Sequence, residues 1–169
     1  MANTLIHFEQ GGAEQVFESG AVLNLESFTN GAPGAGISSG TGTVFKSSVQ
    51  RVGGIIKTSL LIDLTGLASS TTDLDIIGVG AEAAYLGQVT AARNGTILTG
   101  RMICLEVPAG GADDVDLYSA TEATGVFDAG IGTLAETALV TAAGAWTLGL
   151  TKGLSAIPAA NQYLYLCGG

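Results

Sequence analysis

The stretch Gly53-Gly54-Ile55-Ile56-Lys57-Thr58-Ser59-Leu60-Leu61-Ile62-Asp63-Leu64-Thr65 decides how the fold is read. Apolar and β-branched residues crowd its middle, and paired glycines bound one side. That is the pattern of a long strand with room for a bulge. Outward from it lie shorter β-like runs at Leu74–Val79, Val115–Tyr118, Ala138–Thr141, Trp146–Leu150 and Gln162–Cys167. Gln88–Arg93 meets Asn94-Gly95, and Thr96–Val107 follows. Asn-Gly between two β-like runs predicts a hairpin, because both turn residues must take positive φ. Turn signals recur about every 8–12 residues, the spacing of a sandwich or barrel. Helical signal is thin. Ala81–Arg93 carries Gly87 and the β-branched Val89 and Thr90, and Gly132–Val140 is short and poorly amphipathic. No fixed-period repeat supports a solenoid. The expected fold is all-β, with about eight to ten strands in two packed sheets: a jelly-roll-like β-sandwich over residues 46–169.

Residues 1–45 read differently, as a flexible, irregular Gly-rich N-terminal arm. Short β-like runs stand at Gln15–Val22 and Leu23–Phe28, and Thr29–Gly42 reads as a long surface loop. Glu9, Glu14, Glu18 and Glu26 meet no basic neighbour before Lys46.

The chain has 169 residues, of which 26 are Gly and 12% are charged. Average proteins carry about 7% Gly and about 25% charge. A 47% hydrophobic share excludes a solvated disordered chain. Three prolines and no Gly-X-Y period exclude collagen. The length suits one domain. Net charge is −9, and Lys46, Arg51, Lys57, Arg93, Arg101 and Lys152 are scattered singly along the sequence. Nucleic-acid binding needs clustered cations, so no nucleic-acid partner is expected. An anionic membrane surface is excluded on the same ground. The N-terminus lacks a basic n-region and a long apolar core, so a signal peptide is not read there. No apolar run is long enough to span a bilayer as a helix. Synthesis in a cytosol follows as the expectation. Cys104 and Cys167 are too few for a disulfide framework and read as buried free thiols.

Gly78-Val79-Gly80-Ala81-Glu82-Ala83 matches a dinucleotide fingerprint, with Glu106 placed where a ribose-binding acid would stand. Such a site needs a helix opening at those glycines and further βαβ units. The residues after Glu106 read as strands and turns, so a strand–turn–strand is expected and no cofactor. Asp113, Asp114 and Asp116 form a small acidic cluster, without the spacing of a calcium loop. A solvated loop is the expected reading and no metal site is assigned. His7 is the single histidine, no nucleophile elbow is present, and nothing in the sequence brings Cys104 to His7. No enzyme activity is expected. Asn94-Gly95-Thr96 is formally a glycosylation sequon, explained by its turn chemistry. In the last run, Tyr163 and Tyr165 alternate with Leu164 and Leu166. Period two predicts leucines in the core and tyrosines on a half-exposed face, as core-edge packing, an interface or a sugar platform. The candidate partner-binding residues are His7, Phe8, Phe17 and Phe28 on the arm, with Tyr163 and Tyr165.

Ile55–Gly78, Thr99–Gly111, Asp116–Gly125 and Pro158–Leu166 together resemble small proteins of tailed bacteriophages, many of them marine. The resemblance covers about two thirds of the chain. It implies a virion structural component: a capsid decoration (cement) protein that binds the outer shell and reinforces it. The partner would be the major capsid protein lattice, and the site the virion's outer capsid surface after synthesis in the host cytoplasm. The implied assembly is a homo-oligomer, with a trimer expected at lattice axes. The alternative is a tail, head-fibre or receptor- and glycan-binding module. The similar proteins run on past this point with a further strand, whereas here the sequence stops at Gly168-Gly169. A partner strand completing that edge is therefore expected, unless the strand is dispensable.

Overall fold

The computed structural model describes residues 31–169 together with two short strands, β1 (Ile6–Phe8) and β2 (Gln15–Phe17). The remaining elements are α1 (Ala35–Ser38), β3 (Val44–Val52), β4 (Ile55–Asp63), β5 (Gly87–Gln88) and α2 (Ala91–Asn94), then β6 (Arg101–Ile103) and β7 (Val115–Ala120). After a 3-10 turn at Ile131–Thr133 come β8 (Thr137–Val140), β9 (Thr151–Gly153) and β10 (Tyr163–Gly168). Every strand pairing is antiparallel, and the fold is all-β.

The central sheet has four strands in the order β5-β10-β7-β8. β10 runs the full length of β7, from Tyr163 opposite Ala120 to Gly168 opposite Val115. A bulge between Leu117 and Tyr118 shifts the register against β8. Three two-stranded ribbons accompany it: β1-β2, β3-β4 and β6-β9. The deciding stretch of the sequence is the second arm of the β3-β4 ribbon. It pairs residue for residue from Val52 opposite Ile55 to Val44 opposite Asp63. Gly53 and Gly54 make its two-residue turn, with Gly53 at φ 59. Glycine supplies positive φ there without steric cost. Alternation sorts the ribbon's faces. Phe45, Leu60 and Ile62 pack on the core, while Lys46, Lys57 and Leu61 stay exposed.

The core gathers Ile37, Ile76, Val115, Ile131, Val140, Tyr165, Leu166, Cys167 and Trp146. Both cysteines are buried and free. Three expectations are corrected. Asn94-Gly95 turns no hairpin: it closes the single-turn helix α2. The Thr90 hydroxyl accepts the Arg93 N–H at 3.3 Å, and the Asn94 carboxamide oxygen accepts the Thr90 N–H at 2.8 Å. Gly95, at φ 66, caps the other end. Second, the loop read over Thr29–Gly42 is, from Gly34 onward, part of the packed body. The Gly34 and Gly36 N–H groups donate to the carbonyls of Tyr85 and Ala83, both at 2.8 Å. Ile37 is fully buried behind them. Here the glycines permit backbone contact, since a Cβ on Gly34 or Gly36 would run into the carbonyls of Ala83 or Glu82. Third, Leu74–Val79 forms no continuous strand. It is held by single bridges of Ala68 to Gly78, Asp75 to Gly130 and Ile76 to Cys167.

Candidate functional site

At its Ile103 end the β6-β9 ribbon departs from the usual rule that a sheet with one face on the core turns polar side chains outward. Its inner face is apolar, as expected: Met102, Leu150 and Leu154 pack on the core, and Cys104 is buried. Its outer face carries exposed Arg101 and Thr151 beside Ile103, and exposed apolar side chains follow past the paired residues. Leu105 is 64% exposed and Leu148 72%, with Ile103 also exposed. Leu98 before the ribbon (84%) and Val107 after it extend the apolar character.

Local backbone geometry places Leu105 and Leu148 near the same end of the ribbon. β6 and β9 pair through Arg101–Gly153, Met102–Lys152 and Ile103–Thr151. The ladder continues beyond the strands: the Cys104 N–H donates to the Leu150 carbonyl at 3.0 Å, and the Gly149 N–H to the Cys104 carbonyl at 2.8 Å. Thr147–Leu150 is a tight turn, closed by the Leu150 N–H on the Thr147 carbonyl at 2.9 Å, with Gly149 at φ 81. Leu148 sits at its apex. Leu105 and Leu148 each stand one residue from the bonded Cys104–Gly149 pair. Behind the ribbon, the buried Trp146 donates its indole N–H to the Val115 carbonyl at 2.8 Å. Lys152 turns back over that ring instead of outward.

A second feature is the acidic corner at the Gly168 end of β10. Asp116 is buried and accepts the Ala142 N–H at 2.5 Å. Burial, with the nearby Asp114 carboxylate adding to it, raises its pKa above the ordinary aspartate value despite that bond and Lys152. Asp114 accepts the Gly144 N–H at 2.7 Å through one oxygen, and its other, buried oxygen has no partner among the described residues. A cavity of about 520 Å³ opens beside it, lined by Ser69–Asp73, Gly110–Ala112 and Gly168–Gly169. Among the described residues no three His, Cys, Asp or Glu side chains are grouped to hold a metal ion, and no helix is long and apolar enough to cross a membrane.

The residues singled out from sequence are not brought to one place. His7 and Phe8 lie on β1, opposite Val16 and Gln15, and Phe17 lies on β2 opposite Ile6. Phe28 falls outside the described residues. Tyr163 is half-buried and meets Tyr85 edge to face, ring centroids 5.0 Å apart. Tyr165 is a correction: it is 0% exposed, not half-exposed. Its hydroxyl donates to the Glu122 carbonyl at 2.8 Å and accepts the Gly125 N–H at 3.3 Å. β10 is an interior strand covered on both faces, so Tyr165 and Leu166 are buried alike and alternation cannot separate them. Gly78–Ala83 opens no helix. Gly78 instead lets the Gly36 carbonyl and the Ala84 side chain approach closely. Leu105 and Leu148 are not among the residues singled out from sequence, although apolar residues at both parities through Arg101–Val107 carry a signal for Leu105.

No family model, curated protein or solved structure matches this chain.

Proposed function

We propose that this chain is a non-enzymatic structural protein of a tailed-phage virion. In this reading it is a capsid decoration (cement) protein on the outer shell, with the strands arranged as a two-sheet, jelly-roll-like sandwich. The observation that carries the proposal is the exposure of the large apolar side chains of Ile103, Leu105 and Leu148 at one end of the β6-β9 ribbon. Exposed apolar side chains gathered in one region mark a protein-contact site, and interface cores are poor in charge. A capsid lattice offers such a contact, and the sequence resemblance points to the same setting. The glycan-binding alternative loses support, because Tyr165 is buried and half-buried Tyr163 packs edge to face with Tyr85.

The test is co-sedimentation of the full chain with purified capsids assembled from the major capsid protein. The chain should travel with the shells, and Leu105→Glu with Leu148→Glu should abolish attachment while leaving the circular dichroism unchanged. Absence of the wild-type chain from the shell fraction, or full attachment of the double variant, rejects the reading.

A further inference from the structure

The β3-β4 hairpin has one face on the body and one face turned outward. Alternation sends Phe45, Val49, Leu60 and Ile62 inward. The outward residues of β3 are Val44, Lys46, Ser48 and Gln50, paired in turn with Asp63, Leu61, Ser59 and Lys57 of β4. An outward face is ordinarily polar. This one exposes Val44, Leu61 and Ile55, the last at 75%. Lys46 and Lys57 stand exposed among them, a few ladder pairs or about 13 Å apart. Asp63, at the base, is the single acid in the hairpin. Apolar side chains and cations therefore form a strip along the ribbon, from near its tip to near its base.

The chain itself holds a segment of matching chemistry. Residues 18–30 lie outside the described residues. They carry Glu18 and Glu26 and no Lys or Arg, with the apolar Val22, Leu23, Leu25 and Phe28 around them. The segment joins the body beside the hairpin. Gly31 lies against Arg93, whose Nη1 is 3.1 Å from the position of a Cβ there. Arg93 is on α2, and Arg51 of the hairpin donates to the Ala92 and Arg93 carbonyls at 2.9 and 3.3 Å. At about 3.3 Å per extended residue, Glu26 reaches about 17 Å from Gly31 and Glu18 about 43 Å. Paired strands stand about 4.8 Å apart, so the first reach rounds the edge of the ribbon and the second extends to Lys46.

We propose that the outward face of the β3-β4 hairpin is the docking surface for the chain's own residues 18–30. Glu26 and Glu18 meet Lys57 and Lys46, and the apolar residues of the segment cover the exposed apolar side chains of the strip. Charge complementarity fixes the choice of surface. Over residues 64–169 acids outnumber cations, and that part of the body repels an acidic segment. Attachment at Gly31 holds the segment at an effective concentration of about 1 mM, ahead of the same segment from a second copy. The inference is independent of the virion reading, since it concerns the chain alone in solution.

Carbodiimide cross-linking of the full chain tests it. The reagent joins carboxylates to amines in direct contact, and the lysines are Lys46, Lys57 and Lys152. Mass spectrometry of the monomer band should find Glu18 or Glu26 joined to Lys46 or Lys57. As a second measurement, glutamyl endopeptidase should cut after Glu18 and Glu26 about threefold faster or more in Lys46→Gln with Lys57→Gln than in wild type, in about 20 mM salt. About 500 mM salt should bring wild type toward the rate of the variant. Equal cutting rates in low salt overturn the proposal. So does the absence of these cross-links from the monomer band, whether the two lysines join other acids or none. Cross-links confined to a dimer band overturn it as well, because they place the segment on a second copy.

Discussion

The Lys152 ammonium lies 5.6 Å from the ring centroid of Trp146 and covers the face of the single tryptophan in the chain. The ring is 2% exposed, so the cation completes its burial. Lys152→Ala should uncover it. The tryptophan emission should shift to the red and acrylamide quenching should rise. The lost cation–π contact should cost about 0.5–1 kcal/mol in denaturant unfolding. An unchanged spectrum would show that the ribbon hides Trp146 without help from Lys152.

Asp116 gives a pH dependence with a defined sign. Its folded pKa is raised, so the native state holds this proton more tightly than the unfolded state does. Charged Asp116 therefore weakens the fold at neutral pH, and that penalty fades as pH falls through the raised pKa toward 3.8. Asp116→Asn keeps an acceptor for the Ala142 N–H and removes the charge. The variant should unfold at higher denaturant than wild type at pH 7, and the gap should close near pH 4. Equal midpoints at pH 7 would contradict this.

Tyr165 should titrate late. Burial pushes its hydroxyl pKa up to about 12, so tyrosinate absorbance should show fewer ionised tyrosines at pH 11 in the native protein than in urea. Stability falls as pH climbs above 10, where the unfolded chain ionises first. Tyr165→Phe leaves the Gly125 N–H and Glu122 carbonyl without that partner and should cost about 1–3 kcal/mol.

Gly34→Ala tests the close approach of the 34–37 segment to Ala83–Tyr85. The new methyl group meets the Ala83 carbonyl and the Tyr85 ring. A loss of about 1–3 kcal/mol is expected from the forced separation. Gly54→Ala is the control, since nothing lies within 4 Å of a Cβ there. Similar losses for both would point to backbone strain in place of contact, since the entropic effect of Gly→Ala is itself stabilising.

Leu105→Ser and Leu148→Ser should leave stability within about 0.5 kcal/mol of wild type, as for other exposed positions. Binding of an apolar dye should fall in the double variant. A large drop in stability would mean that these side chains belong to the core.

Much of the fold is legible from local pattern, because β4, β7, β8 and β10 are runs whose residue types favour strands in any setting. The failures share a cause: local signals that serve two structures equally well. Thr90, Asn94 and Gly95 suit a hairpin loop, and they also suit the two caps of a one-turn helix. Only the path of the flanking chain, with β5 paired to β10, decides between them. Tyr163–Leu166 alternates in type, yet a strand with neighbours on both faces buries Tyr165 and Leu166 together. The apolar end of the ribbon was hidden for the converse reason. Ile103 and Leu105 look like core residues until the inner face proves to be already filled by Met102 and Cys104.

The Gly53–Gly54 tip offers a practical handle. Neither glycine has any atom within 4 Å of where a side chain would begin. A short peptide or a fluorophore grafted between Val52 and Ile55 would project from a nine-pair hairpin into open space. Such a graft would report on whatever the protein assembles with while leaving the packed interior untouched.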